Sequence, residues 1–92
     1  MLLYIIAYDI PCNKRRKKVS DLLEGYGTRV QYSVFECILS NKKYCELKRR
    51  LLKRVNVNED HLRFYPLSKH TLETIEVWGG SPVINQATST II

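Results

Sequence analysis

Leu2-Leu3-Tyr4-Ile5-Ile6-Ala7-Tyr8 is an unbroken apolar run closed by Asp9 and Pro11. Leu3, Ile5 and Ala7 alternate with Tyr4, Ile6 and Tyr8, and neither set is polar, so the segment reads as a central strand covered on both faces. A chain of 92 residues has room for one core of a sheet and two helices, not for two cores. The rest of the sequence must therefore supply neighbours for this strand and cover for both of its sides.

From Asn13, a plausible N-cap, Val19, Leu22, Leu23 and Tyr26 recur at helical spacing, and Gly27 is the expected stop. Thr28 to Leu39 is rich in β-formers but long for one strand, which predicts a hairpin turning near Gln31 to Ser33. Ser40 or Asn41 can cap a second helix carrying Tyr44, Leu47, Leu51, Leu52 and Val55 and ending near Asn56. His61 to Leu67 reads as a fourth strand, with Pro66 indicating an edge or exit. Thr74 to Trp78 reads as a short fifth strand halted by Gly79-Gly80. Residues 1–80 are thus expected to form a single domain, and 81–92 a tail that is disordered or pairs with a partner subunit. The order is that of an α+β, ferredoxin-like βαββαβ sandwich with an additional C-terminal strand. Both helices then lie on one face of the sheet. Since the first strand is apolar on both sides, the other face needs a cover, and a second copy packed sheet to sheet is the simplest one.

Charge narrows the partners. The net charge is +6, but residues 1–69 carry +8 and residues 70–92 carry −2. A polyanion is the expected partner, nucleic acid ahead of an anionic membrane surface. Lys14, Arg15, Arg16, Lys17 and Lys18 crowd the start of the first helix, where the helix dipole disfavours cations. Phosphate contacts would account for them, and so would simple solvation. Lys42, Lys43, Lys48, Arg49, Arg50, Lys53 and Arg54 form a second basic face with the same two readings. No apolar run approaches the roughly 20 residues of a membrane span, and no secretory leader is recognisable, so a cytoplasmic protein is expected. Cys12, Cys37 and Cys45 suit reduced thiols rather than a disulfide framework or zinc knuckles. His61 and His70, nine residues apart, read as surface or strand-end histidines. No nucleotide-triphosphate loop or acyl-transfer triad is present.

Asp9 emerges from a buried strand into a loop held by Pro11, a place where folds display reactive groups. It serves equally as an Asx-type turn former. Magnesium keeps several waters and takes only one or two carboxylates, so one Asp per chain would suffice across a two-fold axis. Such an ion could polarise a phosphodiester. Arg29 sits near Tyr32 and Phe35, whose rings either stack on a base or fill the core. Two functions compete: a magnesium-dependent phosphodiesterase needing Asp9, and a non-catalytic nucleic-acid-binding adaptor needing only the charge. A toxin-like ribonuclease fits the size but lacks a recognisable acid–base pair.

Tyr8-Asp9-Ile10 at a strand end, Arg16 and Val19 in the first helix, and Gly27 followed by Arg29-Val30-Gln31-Tyr32-Ser33-Val34-Phe35-Glu36-Cys37 resemble the CRISPR-associated protein 2 family. Arg63-Phe64-Tyr65-Pro66-Leu67 and Ile75-Glu76-Val77-Trp78-Gly79 resemble its later strands. The resemblance implies a ferredoxin-like homodimer with Mg2+, or Mn2+ in its place, between two Asp9 side chains. It implies endonuclease activity on single-stranded RNA or double-stranded DNA, and a role beside the CRISPR integrase in spacer acquisition, where the dimer supports a duplex prespacer. Its site residues fall on Tyr8, Asp9, Arg16, Arg29, Ser33 and Phe35, while the basic blocks themselves offer Lys14, Arg15, Arg16, Lys17, Lys18, Arg49 and Arg50 as nucleic-acid contacts. Lys18 stands where relatives can carry Arg, which keeps the charge but loses the bidentate fork.

Overall fold

The computed structural model describes residues 1–80 together with 82 and 83. The elements run β1 (Leu2–Asp9), α1 (Asn13–Glu24), β2 (Thr28–Gln31), β3 (Val34–Leu39), α2 (Asn41–Leu52), β4 (His61–Leu67) and a short α3 (Lys69–Leu72). The strands form one antiparallel sheet in the order β2-β3-β1-β4, so β1 has a neighbour on each side. The hairpin turns at Tyr32 and Ser33, as the sequence predicts. The two long helices and four strands follow the expected ferredoxin-like order.

Period-two alternation divides β1 between two environments. Tyr4, Ile6 and Tyr8 join Phe35, Cys37 and Leu39 of β3 in the core, against Val19, Leu22 and Leu23 of α1 and Leu47 and Leu51 of α2. Tyr4 stacks on Tyr44, ring centroids 3.8 Å apart. Leu3, Ile5 and Ala7 face the other way, with Val34, Glu36 and Ile38 of β3 and Arg63, Tyr65 and Leu67 of β4 beside them in register. Leu3 and Glu36 are buried there, but Ile5, Ala7, Val34 and Ile38 are only half-buried, and Tyr65 is 44% exposed. The second face is therefore largely apolar and incompletely covered.

Several expectations shift. Cys12, not Asn13, is the N-cap of α1, and no side chain caps it. The helix stops at Glu24, with Gly25 as C-cap, before Gly27 is reached. Gly27 has a different task, for a Cβ there would collide with the Glu36 carbonyl oxygen and lie 2.9 Å from Cys37 Cα. Its missing side chain lets the chain leaving α1 run tightly against β3. Ser40 does cap α2, accepting from the Lys43 amide, but the helix ends at Leu52 rather than near Asn56. The fifth strand, Thr74 to Trp78, is not formed. Ser68 starts a helical turn whose carbonyls at Thr71 and Leu72 take the amides of Thr74 and Ile75, and among the described residues no strand pairs with 75–78. Apolar content alone does not make a strand; a ladder partner does. The tail expectation for 81–92 lies outside the described residues apart from 82 and 83.

Replacing Gly27 with Ala should destabilise the fold by about 1–3 kcal/mol, the usual cost of overpacking a site that cannot give way. A urea midpoint equal to that of the unaltered chain would contradict this account.

Candidate nucleic-acid site at the end of the central strand

Asp9 is the last residue of β1, exposed, and directly opposite His61 of β4. Because Tyr8 points into the helix-covered core, alternation turns Asp9 toward the open face. The Tyr8 amide donates to the Ser33 carbonyl oxygen at 3.1 Å, which fixes the β2–β3 turn beside the strand end. Buried Ile10 then anchors the chain before α1 begins at Asn13. One end of the sheet thus gathers Asp9, His61, the Tyr32-Ser33 turn and the basic first turns of α1. Among the described residues, no hydrogen bond or ion pair engages the Asp9 carboxylate.

The structure sorts the remaining candidate residues by what already holds them. Phe35 is completely buried, with Tyr8 on one side at 6.3 Å between ring centroids and the Arg29 guanidinium 5.1 Å from its ring centre. It serves the core and presents no ring to a base. Arg29 donates to the Tyr32 carbonyl oxygen at 2.8 Å, to Glu24 at 3.2 Å and to the Ser20 hydroxyl, so it braces the turn from α1. The exposed aromatic at this end is Tyr32, 83% accessible, carried on a turn that Arg29 and Tyr8 hold in place. Ser33 contributes its carbonyl oxygen to that support.

The basic block divides in the same way. Lys14, Lys17 and Lys18 are exposed, Lys17 pairing with Asp21 at 3.0 Å. Arg16 donates to Asn13. Arg15 reaches Asp60 at 2.8 Å and Glu59 at 3.0 Å, and the Asp60 side chain is fully buried. Asp60 also accepts from the Asn56 amide at 2.9 Å. This clamp ties the start of α1 to the loop leading into β4, the segments that follow Asp9 and precede His61. The Arg15 guanidinium holds the Asp60 carboxyl below its ordinary range, and Arg15 is in turn raised. The Arg15 amide likewise lowers the Cys12 thiol. Arg49 and Arg50 lie on α2, on the helix side of the sheet, and Arg50 bonds the Tyr26 hydroxyl at 2.8 Å. Sequence reading could not separate Arg15 from its neighbours, because its carboxylate partner lies 45 residues away.

Asp9 offers hard oxygen donors with no competing partner, which suits a divalent cation such as magnesium. Among the described residues no group of three or more His, Cys, Asp or Glu side chains that could hold a metal ion occurs. No helix among them is long and apolar enough to cross a membrane.

Fold and site define the class first: a ferredoxin-like α+β domain with a free carboxylate at the end of its central strand and a basic helix start beside it. Within that class, the chain belongs to the CRISPR associated protein Cas2 family, whose sequence model matches residues 1–75. A Synechocystis sp. relative called CRISPR-associated endoribonuclease Cas2 3 is 59% identical over 92 residues, covering 100% of both chains. The crystal structure of Streptococcus pyogenes Cas2 superposes with a TM-score of 0.75 at 33% identity, covering 84% of this chain and 99% of that one. A chain in a partial Cas6-RT-Cas1–Cas2 complex matches with a TM-score of 0.78 at 34% identity, covering 92% and 93%.

Asp60→Asn should lower the denaturation midpoint at pH 7. A depressed carboxyl stabilises above its unfolded pKa, about 3.9, and that contribution fades as the pH falls through the folded value. The gap between variant and parent should therefore narrow below about pH 4. A gap unchanged from pH 7 to pH 2.5 would contradict the clamp.

Proposed function

We propose that this chain is a metal-dependent endonuclease of CRISPR adaptation, acting on nucleic acid as a homodimer beside the CRISPR integrase. The observation that carries this reading is Asp9: a free, exposed carboxylate at the end of the central strand, on the incompletely covered face of the sheet. Two copies paired through that face would bury its half-covered apolar residues and bring two Asp9 side chains together. Like charges at close range are unfavourable without a cation, so the pair would favour Mg2+ or Mn2+. When bound there, a hard divalent ion supplies Lewis-acid polarisation of a phosphoryl oxygen.

The chain's own residues supply the rest. Lys14, Lys17 and Lys18 attract the backbone, with Arg16 beside them. Tyr32 presents the ring face that buried Phe35 cannot, while Tyr8, Arg29 and Phe35 keep that turn in position. The name of the Synechocystis relative, an endoribonuclease, supports RNA cleavage. Single-stranded RNA and duplex DNA are both chemically compatible with a site that reads phosphate rather than base.

A second reading is a non-catalytic adaptor that supports duplex DNA for the integrase. It is favoured by the assembly of a structural neighbour with Cas1, and by the commitment of Arg15 and Arg29 to structural contacts.

Asp9→Asn should reduce Mg2+-stimulated cleavage of RNA or duplex DNA by about 100-fold or more, on the scale of losing a principal electrostatic group. Cleavage that persists equally in the variant or in chelator would defeat the metal mechanism. Spacer acquisition that survives in the variant while cleavage disappears would make the adaptor role primary.

A further inference from the structure

The helix layer carries a feature that the Asp9 site shares only through Lys18. α1 and α2 run antiparallel over the sheet, since each returns along the strand before it, and a crease of about 720 Å3 lies between them. Lys18 lines it from α1; Lys43, Glu46 and Arg50 line it from α2 and Arg54 from the turn just beyond; Tyr26 lies near the end of α1. On α2, Lys43 and Arg50 are seven residues, two turns, apart and share the flank toward α1, and Arg54 follows just past the helix end. At 1.5 Å per residue, Lys43 and Arg50 are about 10 Å apart along the axis.

The acids in the crease are already engaged. Glu46 accepts from the Tyr26 hydroxyl at 2.5 Å and pairs with Lys43 at 3.4 Å, while Arg50 donates to the same hydroxyl at 2.8 Å. Asp21 is paired with Lys17. Arg54 spends one guanidinium nitrogen on the Arg50 carbonyl at 2.8 Å and retains the others. Cations outnumber acids along the crease: Lys18, Lys43, Arg50 and Arg54 stand against Asp21 and Glu46. The row begins near Leu39, at the end of the domain remote from Asp9. It finishes at Arg54 and Lys18, where the exposed Lys14 and Lys17 continue it toward the start of α1.

We propose that the crease between α1 and α2 binds the phosphodiester backbone of one nucleic-acid strand, with Lys18, Lys43 and Arg54 as its phosphate contacts. The crease is lined along one narrow track by Lys18 on one side and by Lys43, Arg50 and Arg54 on the other, a form that suits one backbone strand. A row of cations along a groove is the electrostatic form that tracks a backbone without reading bases. This deepens the nucleic-acid reading above and rests on it. The strand would lie on the helix side of the sheet and lead toward the end that displays Asp9.

The test is fluorescence anisotropy with a labelled single-stranded RNA or DNA oligonucleotide, read as a function of salt. Single-strand affinity falls with a slope of about 0.7 per phosphate neutralised. Replacing Lys18, Lys43 and Arg54 together with Gln should therefore flatten the slope by about 2. Lys18→Arg with Lys43→Arg should retain the original slope. Should the triple variant fail to fold, each single Gln replacement should lower the slope by about 0.7. If the unaltered chain binds no nucleic acid, the functional reading itself falls. If it binds and the folded variants keep the same slope, only the crease is rejected. Intact strand binding with lost affinity for the integrase would likewise overturn it, and would assign the row to an acidic protein surface.

Discussion

Everything in this molecule depends on β1 being apolar on both sides while α1 and α2 can cover only one. The helices take the Tyr4, Ile6 and Tyr8 side and seal it with Phe35, Val19 and Leu47, each fully buried. The opposite side keeps Ile5, Ala7, Val34 and Ile38 half-exposed, with Tyr65 44% exposed. Asp9 stands at the margin of that side because it follows Tyr8 by one residue in a period-two strand. The same alternation that leaves the surface unfinished therefore aims the free carboxylate onto it. A second copy would resolve both at once, which is why the proposed pairing and the proposed metal site are one idea.

The many cations are not equivalent. Arg15 and Arg29 hold the site together: one ties α1 to the loop before β4 through buried Asp60, the other braces the Tyr32 turn across Ser20 and Glu24. Their delocalised, multidentate guanidinium groups suit structural forks. Exposed Lys14 and Lys18 have no ion-pair partner among the described residues and remain available to phosphate. Positive charge in this chain thus splits by chemistry, arginine mostly bracing and lysine mostly facing outward.

Much of this was legible in the sequence where the signal is local. The strand Leu2–Asp9, the turn at Tyr32-Ser33 and the Ser40 cap follow from apolar runs, periodicity and capping chemistry over a few residues. Asp9 stood out for the same reason, as a charge at the end of a buried run. The rest depended on contacts that spacing does not encode. Whether Phe35 faces core or solvent requires knowing that it pairs with Ile6 in register. Gly27 owes its identity to the approach of β3, not to helix termination. The fifth strand failed because a helical turn after Ser68 takes its first amides, and because an apolar segment needs a ladder partner, which no described strand provides.

The most direct measurement is the solution mass by sedimentation equilibrium at micromolar concentration. The account predicts a particle of twice the 10.8 kDa chain mass, persisting on dilution into the low micromolar range. A stably folded particle of 10.8 kDa under the same conditions would contradict it, since the open face and its carboxylate would then be complete without a second copy.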